Sequence, residues 1–139
     1  MRLMSVVVIL LLAVATATDL RSRRVPDWVP VCLGLAAVTG VIAQRALAVW
    51  PLLAWGGVLG LGVGICLFAA GAMGGGDVKL LTALGLACGA PLFVFTLFHT
   101  AIAGGVLALV AAAAGRREIP YVPAISVGFA VAAWRAGVW

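Results

Sequence analysis

The chain has 139 residues, enough for one domain, of which 65% are hydrophobic and only 9% charged. So few polar side chains could not cover the surface of a water-soluble fold, so that class is excluded and an all-α integral membrane protein is expected. The net charge of +5 is scattered over loop positions. With no basic stripe or aromatic platform, it suggests orientation in a lipid bilayer and gives no ground for a nucleic-acid partner.

The first apolar run covers residues 3–18 and follows Arg2, as in a signal peptide. The arginines come after this run and further apolar segments follow it, so a retained first helix is expected. It gives way to the polar stretch Asp19-Leu20-Arg21-Ser22-Arg23-Arg24-Val25-Pro26-Asp27. Pro26 cannot continue a helix from upstream but suits the start of a new one, and Trp28 is a natural interface anchor. A second span is predicted over residues 28–43, closed by Gln44 and Arg45. A third covers 46–72, opening on Trp50-Pro51 and carrying Gly56, Gly60 and Gly64 at four-residue spacing, a row that lets a neighbouring helix approach closely. After Met73-Gly74-Gly75-Gly76-Asp77 a short fourth helix runs over 78–89, with Gly85 and Gly89 one turn apart and Pro91 beyond its end. A fifth span covers 92–114 and a sixth 121–139, joined through Arg116, Arg117, Glu118 and Pro120. The expectation is a polytopic bundle of about six transmembrane helices forming a single domain over 1–139; fusing the fourth and fifth would give five. Cys32, Cys66 and Cys88 stand alone in apolar runs with no metal-ligand spacing and read as small core side chains.

With six spans, Arg21, Arg23, Arg24, Lys79, Arg116 and Arg117 share one side, against Arg2, Arg45 and Arg135 on the other. The richer side is expected in the cytoplasm, with both termini outside. Asp19 and Asp77 then lie at the same membrane face, each at a helix end.

The acids are only Asp19, Asp27, Asp77 and Glu118. A carboxylate at a helix centre in hydrocarbon costs about 2.5–3.5 kcal/mol, less near the interface, and three glycines before it weaken the helix further. Both features work against folding, which suggests a function that needs them. Two carboxylates from separate helices can share one proton: one activates water while the other polarises a carbonyl, which is peptide hydrolysis without metal or cofactor. The glycines supply irregular backbone, tolerated at membrane depth where it lines a wet cavity. They also leave room for an extended substrate strand beside Asp77. Asp27 suits capping of the second helix, Glu118 an ion pair beside Arg116 and Arg117. His99, with Thr96 and Thr100, suits hydrogen bonding to a neighbouring helix.

Gly74-Gly75-Gly76-Asp77 matches the G-x-G-D motif of membrane aspartyl proteases, and its extension through Val78-Lys79-Leu80-Leu81 resembles the prepilin peptidases. Asp19 through Asp27 is similar to that family's second signature, Asp with Arg at +4 and Ile-Pro-Asn at +6 to +8; here Val25 and Asp27 depart from it. Ile119-Pro120-Tyr121-Val122-Pro123 and the small residues after it resemble a third segment. The resemblance implies a peptidase domain with Asp19 and Asp77 catalytic and Gly74, Gly76, Lys79, Arg23 and Pro26 in support. It implies no metal or other cofactor. The substrate would be a prepilin with a short basic leader, cut next to its hydrophobic helix at the cytoplasmic face of the inner membrane. Because the chain starts on a membrane helix, it looks like the short members serving Flp-type pilins, or the archaeal preflagellin peptidases, and methyl transfer is not expected. The competing expectation is a non-enzymatic membrane assembly subunit, with Asp19 and Asp77 paired to Arg23 and Lys79.

Overall fold

A computed structural model describes residues 2–22, 25–43, 47–115 and 121–137, the side chains of 2–5 and 47 excepted. The described residues are helical, with no strand among them: α1 (Arg2–Ser22), α2 (Trp28–Ala43), a short 3-10 turn (Leu47–Val49), α3 (Trp50–Ala69), α4 (Gly75–Ala113) and α5 (Val122–Arg135). Of these, α3 and α4 are long and apolar enough to cross a membrane. Every helix also turns large apolar side chains outward; Leu35, Trp55, Phe98, Leu109 and Trp134 are each 60% exposed or more. In water such a belt would be an aggregation surface, whereas a bilayer is its natural solvent.

Among the described residues α4 is two helical arms that meet at Gly89, whose φ of 71° and ψ of 162° are not helical; taken as one element they give five α-helices, and taken apart they are the fourth and fifth of the six expected. The two arms are not collinear. On a straight helix Asp77 and Gly104 would stand about 40 Å apart, at 1.5 Å per residue. Yet Gly104 packs on Ala124 of α5, and Val122, two residues earlier, meets the same Asp19 whose charge reaches Asp77. The chain therefore folds back at Gly89-Ala90-Pro91, where Pro91 has no N–H to bond the preceding turn and glycine alone tolerates the positive φ.

The glycine row of α3 packs as its spacing suggests. A Cβ on Gly56 would overlap the carbonyl oxygen of Gly85, and a Cβ on Gly85 the carbonyl oxygen of Gly56. Further along, a Cβ on Gly64 would come within 2.9 Å of Val78 Cγ1. This backbone-to-backbone contact fixes the first arm of α4 along α3. The helix α3 ends in a Schellman motif: Gly71, at φ 70°, donates to Phe68 O (2.9 Å) and Ala72 to Leu67 O (2.9 Å).

Leu33, Leu80, Leu84, Phe93, Val122 and Ile125 are fully buried and join α2, both arms of α4 and α5 in one core. Cys32 and Cys66 lie outside it: both are exposed on the apolar surface, and only Cys88 is partly buried, so the expectation of three core thiols holds for one. A chain apolar on every helix face gives no cue to which cysteine turns inward.

Candidate active site

The site lies over one end of this core. In α1 the buried positions are Val8, Leu12, Ala15 and Asp19, spaced four, three and four apart, so Asp19 ends the stripe that faces the bundle. It is only 6% exposed. Helix α1 continues to Ser22, past the predicted end at Thr18, and this extra turn directs Asp19 inward. Its Oδ2 accepts the backbone N–H of Val122 at 3.3 Å. That amide is in the first turn of α5, where no carbonyl of its own helix can serve it, and Pro123 beside it has no N–H to offer. A carboxylate here also meets the positive end of the helix dipole. One turn deeper, Thr16 Oγ1 and Ser126 Oγ share a hydrogen bond of 2.7 Å, a second polar tie between α1 and α5.

Asp77 occupies the third position of α4, on the face that continues through the buried Leu80, Leu81 and Leu84. It is half-buried, and its Oδ2 accepts the backbone N–H of Gly74, the N-cap, at 3.3 Å. The Asp19 carboxylate lies within electrostatic reach of Asp77. The structure thus brings together two acids 58 positions apart in sequence, from α1 and the fold-back helix.

The glycines differ from expectation. Gly75 and Gly76 are the first two helical residues, and Gly74 is extended at φ −83°, so the irregular backbone is shorter than the triplet suggests and helix four starts before Val78. None of the three has a positive φ. What they share is absence of bulk. Among the described residues a Cβ on Gly75 would meet nothing within 4 Å, and one on Gly74 only Asp77 Oδ2 at 3.8 Å, so none of them crowds these two positions beside Asp77. Gly76 faces the backbone of Val25, where a Cβ would stand 3.5 Å from the carbonyl oxygen.

Pro26 opens α2 as predicted, its carbonyl accepting the Val29 N–H at 3.0 Å. Lys79 pairs with Asp27, Nζ to Oδ1 at 2.7 Å, rather than with Asp77 as the non-enzymatic expectation required. Arg23, Arg24, Arg45, Arg116, Arg117, Glu118, Ile119 and Pro120 lie outside the described residues. The intramembrane polar trio behaves otherwise than predicted. His99 Nδ1 bonds Phe95 O (2.7 Å) and Thr96 Oγ1 donates to Leu92 O (2.9 Å), both within α4. Thr100 Oγ1 is buried against Gly128 with no hydrogen-bond partner among the described residues. The α4–α5 contact is steric at this level, with glycine admitting the threonine. Among the described residues no three His, Cys, Asp or Glu side chains gather as metal ligands would.

Residues 6–109 match the family model of type IV leader peptidases. A prepilin leader peptidase/N-methyltransferase from Bacillus subtilis (strain 168) is 30% identical over 135 residues, covering 89% of this chain and 52% of its own length. The chain thus spans about half the length of that relative. No solved structure matches it.

Proposed function

We propose, on the premise that this chain belongs to the type IV leader peptidase family, that it is an aspartic endopeptidase removing the leader from prepilins. Asp19 and Asp77 are its catalytic pair. One observation carries the reading: the buried Asp19 near the end of α1 and the half-buried Asp77 in the first turn of α4 stand at the same end of the bundle, where Val25, six residues after Asp19, packs on Gly76 beside Asp77. Sharing one proton, the pair can work on a peptide bond. The ionised carboxylate takes a proton from water as the water oxygen adds to the carbonyl carbon, and the protonated carboxyl gives its proton to the carbonyl oxygen. Return of a proton to the amide nitrogen then breaks the C–N bond. The bare backbone of Gly74 and Gly75 leaves space for an extended substrate beside Asp77.

The full reading is a single peptidase domain in the inner membrane with the acid pair at the cytoplasmic face, both termini outside and the two arms of α4 each making a crossing, six in all. The excess of arginine and lysine on the pair's side supports that orientation. The substrate class is the Flp-type pilin with a short basic leader. The test is co-expression with pilin precursors encoded beside this chain, reading leader removal by mass. Asp19→Asn and Asp77→Asn should each leave a folded protein and an unprocessed pilin. Leader removal by either variant would take that acid out of the pair.

A second reading has its own support in the Asp19–Val122 bond, which ties α1 to α5 whether or not chemistry follows. In a non-enzymatic assembly subunit the acids would serve only such ties, and Asp77→Glu, which keeps the charge, would leave function intact. A protease loses its geometry with one added methylene.

A further inference from the structure

The first turn of α4 is held from outside as well as from within. Gly76 rests on the backbone of Val25, and three residues on, Lys79 Nζ meets Asp27 Oδ1 at 2.7 Å. Residues three apart share a helix face, so this outward face of α4 lies against the α1–α2 connection while Asp77, Leu80 and Leu81 turn inward. Asp27 follows Asp19 by eight residues, across the last turn of α1 and the connection to α2, and Lys79 follows Asp77 by two. The ion pair therefore closes a ring: Asp19, the connection to Asp27, Lys79, Asp77. Gly60 and Gly64 of α3 hold this turn at Leu81 and Val78 on one side, and on the side of Val25 the ion pair is the polar contact that resists its rotation.

We propose that Asp27 and Lys79 form a clasp that sets the rotation of the first turn of α4 and so positions Asp77 against Asp19. Both are positioning residues, with no contact to substrate. This role rests on the peptidase reading above. The two side chains are 61% and 75% exposed, so the clasp is screened by salt and its effect on rate is graded.

The test is a charge-exchange cycle in the full chain, with kcat and KM measured on a pilin precursor in detergent or vesicles. Asp27→Asn and Lys79→Met should each lower kcat about fivefold at low ionic strength with KM unchanged. Raising salt should bring the unsubstituted chain toward the same rate. The exchanged pair, Asp27→Lys with Lys79→Asp, should recover to within about twofold. A rise in KM with kcat intact would place Lys79 on the substrate and overturn the proposal. So would failure of the exchanged pair to recover, or singles indistinguishable from the unsubstituted chain. A chain that cleaves no precursor would sink the peptidase reading instead. The clasp is then decided without catalysis, using Asp19→Cys with Asp77→Cys after Cys32, Cys66 and Cys88 are replaced by alanine. Bridging of the two thiols by a short bifunctional reagent should slow when Lys79→Met is added, and an unchanged rate would overturn the proposal.

Discussion

The two acids are held in opposite ways. Asp19 sits in the last turns of α1, 6% exposed, and its hydrogen bond reaches 103 positions along the chain to the start of α5. Asp77 stands in the first turn of α4, half-buried, and its bond reaches back three residues to Gly74. One acid is a joint of the tertiary fold and the other a local cap. The difference shows what each can lose: removing Asp19 strips a partner from a buried amide, whereas removing Asp77 loosens one helix end that water can reach.

That contrast can be broken most directly at Asp77. Asp77→Asn should cut leader removal by at least about a thousandfold while helix content and thermal unfolding stay near those of the parent, since only general acid–base chemistry is lost. A chain that unfolds instead would make Asp77 as structural as Asp19. At Asp19 the contrast is sharpened by two substitutions. Asn keeps an oxygen for the Val122 amide and should be inactive but stable. Ala leaves that amide unsatisfied and should cost about 1–3 kcal/mol more, read as a lower unfolding midpoint. Equal stability of the two would mean that the bond carries no weight.

Smaller effects should follow around the pair. Gly75→Leu fills the open approach to Asp77 and should raise KM about tenfold with folding unchanged, as the position has space for a side chain. Unchanged kinetics would show that substrate comes in elsewhere. Thr16→Val, which removes the tie to Ser126 one turn below Asp19, should cost about 1 kcal/mol of stability and leave kcat unaltered.

How much of this was legible in the chain differs by kind of signal. Punctuation was readable: Pro26 and Trp28 placed the start of α2, and its end at Ala43 fell where Gln44 and Arg45 follow. The Gly56, Gly60 and Gly64 row announced a close helix contact because a missing Cβ has one simple use in a membrane chain. Facing was not readable. With apolar residues all round each helix, the stripe Val8, Leu12, Ala15 does not stand out, so nothing revealed that Asp19 extends it. The run of charges after Thr18 suggested a loop, but tertiary capping of Val122 is served by one more helical turn. The triple glycine suggested irregular backbone, yet two of the three are helical, since packing on Val25 and the Asp77 cap outweigh a cost of about 1 kcal/mol per glycine. Partner choice was equally hidden: the Lys79–Asp27 pair joins residues 52 apart, and neither spacing nor composition singles it out.

The reversal at Gly89 has a consequence for the lipid. The arm over residues 75–88 rises about 21 Å and α5, at 14 residues, no further, against a hydrocarbon thickness of about 30 Å. On the six-crossing arrangement proposed above, elements that short would meet the bilayer by drawing its leaflets together, with the mismatch greatest beside the arms that carry Asp77 and cap Asp19. Headgroups and water would then dip toward the acids. A protein anchored by its own apolar helix could present the bond just before that helix without being lifted out of the membrane.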